Sequence, residues 1–314
     1  MGTSGDRRKT QGAGDVTHTR FVAVAVLTVF AMFGLFAGAA PQALSESERV
    51  AAWREQRLAE LTADDGWLTL VALAWMHDGR NQAGGAKGMD LHLPGNAPDF
   101  LGTFDWHRDG VTFTAAPKVV VTVGGVPFPR GPLAFDKTLL EVGSLRMLAI
   151  KRGERVGLRV RDVASPRRKA FAGVDLFPVD ARWSVAARLE TVTPPRAVPI
   201  INVLGDASDY QSPGRLVFSL DGVSYSLDAL LEDADARDLF VIFKDRTNGT
   251  ATYPAGRYLH VPMPVDGKTV IDFNEAYNPP CAFTTFATCP LPPRQNWLKI
   301  PIEAGERAYH HADR

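Results

Sequence analysis

The chain has 314 residues, and its 35 Lys and Arg residues balance its 35 Asp and Glu residues. A net charge of zero argues against a nucleic-acid partner, because such a partner requires a basic surface. The length allows one large domain or two small ones.

The N-terminal segment has the pattern of an export signal. Residues 1–20 are polar and basic, and Phe21 to Ala40 form an uncharged run that ends in small residues. This order is typical of a secretory signal, and a retained membrane anchor is the alternative because about twenty apolar residues span a bilayer. Residues 1–43 are therefore predicted to be a signal peptide or anchor. The remainder is predicted to be exported, with the membrane as a partner through residues 21–40 if the signal is not cleaved.

The next segments predict one helix and one buried element. Ser45 and Glu48 have the spacing of a capping box, so residues 45–62 are predicted to form a helix whose Trp53 face packs on the main body. The run Trp67–Trp75 suits a short buried helix and a buried strand equally well.

The rest of the chain has the pattern of antiparallel β structure. Asp109-Gly110 and Asp221-Gly222 lie between alternating apolar residues and predict hairpins. Segments 102–113 and 214–225 align without gaps, which indicates two related β halves or a chance match between common hairpins. The predicted fold is mainly β, with an N-terminal packing helix followed by two antiparallel sandwich- or barrel-like β halves.

A proline-rich segment suggests where the two halves divide. Residues 193–199 contain three prolines, so we predict that they form a connector outside any sheet. The predicted domains are then 44–192, with the helix and the first β half, and 200–314, with the second. One continuous sandwich crossed by this segment is the alternative.

Both cysteines lie in the segment Asp272–Pro293, which its prolines make a rigid loop. In an exported chain, Cys281 and Cys289 are predicted to form a disulfide, and two buried thiols are the alternative. The short loop that they close would stabilise the protein by about 2–3 kcal/mol.

Common catalytic signatures are absent from the sequence. It has no Gly-x-Ser-x-Gly elbow, no Walker A loop and no His-Glu-x-x-His motif. No cofactor and no metal ligands are assigned. The basic stretch Arg159-Val160-Arg161-Asp162 is predicted to be a strand that leads into a solvated loop.

Polar residues near the C-terminal strands are the candidate site. Antiparallel pairing could bring Asp245, Arg257 and Asp272 together, with Arg257 binding an anion and the two carboxylates acting as bases or metal ligands. The alternative is structural, with Arg257 paired to a carboxylate and the nearby asparagines bonded to loop backbone. The catalytic candidates are Asp245, Asp272 and Tyr277, and the ligand-binding candidates are Arg257, Asn274 and Asn278.

Five motifs carry a resemblance to a known family. They are Gly66–Leu70, Gly157–Asp162, Phe243–Thr247, Thr252–Leu259 and Asp272–Pro293. The chain resembles the bacterial domain-of-unknown-function family DUF1684 over nearly everything after the apolar segment. The members of this family are exported or cytosolic proteins without an assigned activity, so the resemblance implies an identity but no mechanism.

Two details limit what the resemblance implies. Gln295 stands where the family pattern has Glu, so no role is given to this position. Segments 79–81 and 90–94 faintly resemble a forkhead-associated β-sandwich, but the Ser and Arg that bind phosphothreonine in such domains are not recognisable. This second resemblance is a hint about fold alone.

Three functions remain open at this point. The leading one is an extracytoplasmic ligand-binding or envelope-maintenance protein with a polar pocket in its C-terminal half. The alternatives are an envelope hydrolase that uses Asp245 and Asp272, with or without a metal, and a structural scaffold or interaction module. The expected partner is an unknown small ligand or an envelope protein.

Overall fold

The computed structural model describes residues 44–94 and 96–310. The predicted signal or anchor, residues 1–43, lies outside the described residues. Within the described residues, no helix has both the length and the apolar character that a membrane crossing requires.

Helix α1 (Glu46–Thr62) begins at the predicted capping box. The Ser45 hydroxyl accepts a hydrogen bond from the Glu48 backbone at 3.3 Å, and the Glu48 carboxylate accepts one from the Ser45 backbone at 2.8 Å. These bonds satisfy backbone donors that the first helical turn would leave unpaired. A second helix, α2 (Pro166–Ala170), is a single short turn-like element.

The run Trp67–Trp75, which suited a helix and a strand equally well, forms a 3₁₀ turn at Trp67–Thr69 followed by the first strand. The strands of the first half are β1 (Leu70–Trp75), β2 (Gly79–Gly84), β3 (Leu91–His92), β4 (Gly102–His107), β5 (Gly110–Ala115), β6 (Thr122–Val123), β7 (Val126–Pro127), β8 (Arg130–Leu133), β9 (Leu140–Val142), β10 (Leu145–Arg152) and β11 (Arg155–Asp162).

The first half consists of two sheets. One has the strand order β1-β11-β10-β9-β6-β7 and the other β3-β2-β4-β5-β8, and all pairs are antiparallel except β2 with β3. The Asp109-Gly110 hairpin connects β4 and β5 as predicted, with His107 opposite Gly110. Apolar side chains such as Phe104 and Leu158 form a buried core between the sheets.

The strands of the second half are β12 (Ser184–Ile201), β13 (Ala207–Leu220), β14 (Val223–Leu231), β15 (Asp238–Phe243), β16 (Arg257–Pro262) and β17 (Lys268–Asp272). They form one sheet in the order β16-β15-β14-β13-β12-β17, and its two edge strands approach each other. This half is therefore nearly a barrel, and its core includes Phe243, Leu259 and Phe273. The predicted mainly β fold with an N-terminal helix is confirmed.

The proline-rich segment departs from the prediction. Strand β12 runs through residues 193–199, so the prediction that these prolines keep the segment outside any sheet is wrong. Pairing with β13 stops after Thr191 and resumes at Arg196, and Pro194 and Pro195 lie in this interruption. Proline is tolerated there because no ladder hydrogen bond is required of it. The division into domains 44–192 and 200–314 stays a prediction.

Helix α1 packs on the second half, although the first half follows it in sequence. The Arg57 guanidinium donates to the Glu306 carboxylate at 3.0 Å and to the Asn278 carbonyl at 2.9 Å. The rings of Trp53 and Tyr277 lie 6.4 Å apart. This packing places α1 beside the C-terminal loop.

Candidate functional site

Two of the sequence-predicted site residues form a buried ion pair. The side chains of Arg257 and Asp245 have no exposed surface, and the guanidinium donates to the carboxylate at 2.9 Å. The guanidinium also donates to the carbonyl groups of Ile302, Ala304 and Glu306, whereas its buried Nε–H has no acceptor among the described residues. Burial lowers the pKa of Arg257, and the Asp245 carboxylate opposes this effect. Both terminal nitrogens of Arg257 thus have protein acceptors.

Asp272 lies apart from that pair. Its carboxylate pairs with Arg49 of α1 and caps a 3₁₀ turn by accepting from the Asn274 backbone at 2.9 Å. The Asn274 side chain bonds to the backbone of Asp180, and the Asn278 side chain donates to the Arg307 carbonyl at 2.7 Å. These contacts favour the structural interpretation of the three residues, whose functional roles stay untested.

The C-terminal loop is closed by the predicted disulfide between Cys281 and Cys289. The Cys281 backbone also donates to the sulfur of Cys289 at 3.0 Å. Residues 287–290 of this loop form one wall of a cavity of about 730 Å³. The disulfide therefore fixes part of the cavity wall.

The cavity is bounded by α1, by strands of both β halves and by the disulfide loop. Its aromatic lining includes Trp53 and Trp67 near α1 and Tyr210 and Phe240 from the second half. Charged groups share the same lining, with arginines from β10 and β11 and carboxylates from the second half. A cavity of this size and mixed character is typical of a small-molecule site.

A chain of three hydrogen-bonded side chains lines the cavity. Asp238 binds His260 Nδ1 at 3.0 Å, and His260 Nε2 binds the Tyr277 hydroxyl at 2.8 Å. When Nδ1–H donates to the carboxylate, Nε2 accepts from the tyrosine. The side chains of Asp238 and His260 are 45% and 37% exposed. The hydrogen-bonded series Asp238–His260–Tyr277 therefore extends from solvent into the cavity.

Local structure fixes these three residues. His260 lies on β16 near its partner residue Phe240 on β15, the strand that begins at Asp238. The backbones of Tyr258 and Tyr277 exchange two hydrogen bonds of 2.9 and 3.0 Å, which hold the loop beside β16. Burial raises the pKa of the Tyr277 hydroxyl, and Arg57 above its ring opposes the rise, so the tyrosine remains protonated at neutral pH.

Two further charged groups, Glu232 and Arg159, line the cavity. Neither Glu232 nor Arg159 makes a side-chain hydrogen bond or an ion pair within the described residues. Burial raises the pKa of Glu232, although His260 lowers it. Burial lowers the pKa of Arg159 to about 10, and the positive charges of Arg152 and Arg161 lower it in the same direction by smaller amounts. At neutral pH the arginine is still a cation.

Sequence reasoning found Tyr277 and the disulfide but missed most of the cavity. His260, Asp238 and Glu232 are separated in sequence and carry no motif, and Arg159 was assigned to a basic stretch. A usable signal was the position of Arg159 within a strand of apolar neighbours, since arginine is seldom buried unless it is paired. In the part of the chain that the structure describes, no group of three His, Cys, Asp or Glu residues is arranged to hold a metal.

Comparisons with known proteins identify the family. A family model described as "Protein of unknown function (DUF1684)" matches residues 169–307. The solution NMR structure of an uncharacterized protein from Haloarcula marismortui is 35% identical over 47% of this chain and 82% of that chain, with a TM-score of 0.39. The chain belongs to the DUF1684 family. The resemblance seen in the sequence is confirmed over residues 169–307.

The remaining comparisons add no functional assignment. A structure from a study of phosphothreonine-dependent FHA domain interactions is 16% identical over 28% of this chain and 92% of that chain. Its TM-score of 0.22 is too low to support any conclusion. No curated protein matches the chain. The segment that matches DUF1684 contains Asp238, His260 and Tyr277, whereas Arg159 precedes it.

Proposed function

We propose that this DUF1684 protein is an extracytoplasmic ligand-binding protein that takes one small molecule into the cavity beside α1. The observation that carries the proposal is the cavity itself, because its volume of about 730 Å³ is combined with charged groups that the protein leaves unpaired. Buried polar groups are normally satisfied by the fold, and unsatisfied ones in a cavity suit a ligand.

A location outside the cytoplasm is part of this proposal. It rests on the basic and apolar N-terminal pattern and on the disulfide, which persists in oxidising compartments. A function in maintenance of the cell envelope would be one use of such binding.

The test is a thermal-shift screen of the protein purified from an oxidising compartment, against sugars, nucleotides, lipids and organic acids. Thr288→Trp places a large side chain in the cavity wall, and Thr285→Trp is the matched control because Thr285 is exposed on the same loop and does not line the cavity. A compound that binds in the cavity should raise the Tm of the wild type and of the Thr285→Trp control, but should not raise the Tm of Thr288→Trp. Equal shifts in both variants would contradict binding in the cavity, and no shift with any compound would favour a scaffold.

The hydrogen-bonded chain of Asp238, His260 and Tyr277 favours a second candidate, an enzyme that transfers a proton to or from its ligand. Tyr277 faces the cavity and His260 could return a proton to it from solvent. Tyr277→Phe should then abolish turnover of the ligand found by the screen and leave its affinity within about threefold. The hydrolase built on Asp245 and Asp272 is less favoured, because Arg257 and Arg49 already pair with these carboxylates.

A further inference from the structure

Arg159 presents a positive charge to the cavity without a counter-ion. Its side chain makes no hydrogen bond or ion pair within the described residues, and its Nε atom is buried without a partner. Burying a charged group without a partner is costly. The fold therefore keeps a cation in an unfavourable place.

The other arginines near the cavity differ from Arg159 in this respect. Arg57 is bonded to a carboxylate and a carbonyl, Arg152 pairs with Asp136 at 3.2 Å, and Arg161 donates to the Gly66 carbonyl at 2.6 Å. The pairing of these three shows that the fold supplies acceptors where an arginine has a structural role. Arg159 lacks them.

The position of Arg159 on strand β11 explains why its side chain points toward the cavity. Side chains alternate along β11, so Leu158 and Val160 enter the core of the first half while Arg159 and Arg161 lie on the opposite face. The Trp67 ring lies on that face, 5.8 Å from the guanidinium carbon of Arg159. The strand and the Trp67 ring together place the guanidinium at the cavity wall.

The cavity lining carries charges of both signs. Arg57 lies over the Tyr277 ring, with 4.5 Å between its guanidinium carbon and the ring centroid, and it is already bonded to Glu306. Arg159 lies over Trp67 in the same lining and has no acceptor in the part of the chain that the structure describes. An anionic group of a ligand therefore finds in Arg159 a guanidinium whose donors are still available.

We propose that Arg159 is an anion-binding residue that holds the carboxylate or phosphate group of the ligand, while the aromatic side chains contact the ligand's body. A guanidinium presents two parallel N–H donors that match the oxygens of either group. The inference rests on the proposed ligand-binding function and adds the chemical class of the ligand.

The experiment measures Tm and Kd of the whole protein with benzoate, its neutral isostere benzamide, and inorganic phosphate. Benzoate or phosphate should raise Tm, with the larger effect showing whether the natural group is a carboxylate or a phosphate, and benzamide should not. Arg159→Met should weaken the binding of the effective anion by about tenfold or more, and Arg159→Lys should weaken it less. Arg80→Gln removes the same charge from an exposed site and should change nothing.

A structural role for Arg159 would give a different result. If Arg159 only braced Trp67, Arg159→Met would lower Tm without ligand, whereas an anion-binding residue replaced by an apolar one should leave Tm unchanged or raised. Equal shifts with benzoate and benzamide, no shift with either anion, or undiminished binding in Arg159→Met would overturn the proposal. A neutral compound that is blocked by Thr288→Trp but unaffected by Arg159→Met would leave the ligand-binding function standing and remove only the anion subsite.

Discussion

The buried pair of Arg257 and Asp245 can be tested by removing one charge while keeping its shape. Asp245 accepts from Arg257, from the backbone and hydroxyl of Thr247, and from the Ile302 backbone. In Asp245→Asn, the amide oxygen can keep the bonds to Thr247 only if the NH₂ group takes the position of the oxygen that accepts from Arg257. The NH₂ group and the guanidinium, both donors, then face each other. Arg257 then remains charged and fully buried without a counter-ion.

Breaking a buried pair from one side costs about 3–5 kcal/mol, because the remaining charge loses its partner. For a chain of this size the loss corresponds to a fall in Tm of roughly 6–20 °C, at roughly 2–4 °C per kcal/mol. Urea unfolding followed by circular dichroism measures the free energy, and thermal melting measures Tm.

The control is Glu190→Gln, which removes the carboxylate of an exposed pair with Arg188. Exposed pairs contribute little, so the free energy of unfolding should change by no more than about 0.5 kcal/mol. The argument from burial is wrong if the free energy of unfolding of Asp245→Asn lies within about 1 kcal/mol of the wild-type value. It is also wrong if Asp245→Asn and Glu190→Gln lose equal stability.

Three other expectations concern the loop, the cavity and the helix. Cys281→Ser should lower the free energy of unfolding by about 2–3 kcal/mol, and reductant should lower Tm in wild type but not in the variant. Burial raises the pKa of Glu232 above 4.5, so the folded state binds this proton more tightly than the unfolded chain, and stability falls as pH rises through and above 4.5. Glu232→Gln should therefore raise Tm near pH 7 and have no effect near pH 4, and a constant difference across pH would contradict this cause. Arg57→Met should cost about 2–4 kcal/mol in urea unfolding, because the buried Glu306 carboxylate loses its cation and keeps, among the described residues, only the hydrogen bond from the Asn278 backbone. An unchanged midpoint would show that α1 docks without this pair.

Local sequence signals were sufficient to predict much of the fold. The capping box at Ser45 and the turn at Asp221-Gly222 are set by neighbouring residues, so each could be recognised without the rest of the chain. The prolines of β12 misled the prediction, because a strand can continue through prolines when its ladder is interrupted at that point. That interruption depends on the partner strand and is invisible in a single segment.

The candidate site was much harder to predict than the fold. Arg257 and Asp245 meet, whereas Asp272, which was expected beside them, pairs with Arg49 of α1. The complete burial of the pair and the carbonyl acceptors of Arg257 depend on residues distant in sequence. The cavity brings together Arg159, His260 and Tyr277, whose juxtaposition depends on how the two β halves and α1 pack. No local pattern carries this information, since each of the three residues looks ordinary in its own strand or loop.

The bonds made to residues 302–306 have a consequence for the order in which the protein assembles. These residues follow every strand of the second half, yet their carbonyl groups surround Arg257 on β16, and Glu306 receives Arg57 from α1. A chain that has ordered only as far as β17 holds a guanidinium from which most acceptors are missing. The near-barrel and the helix beside it can therefore reach their final arrangement only once residues 302–306 are in place, so a segment after the last strand completes contacts that begin at α1.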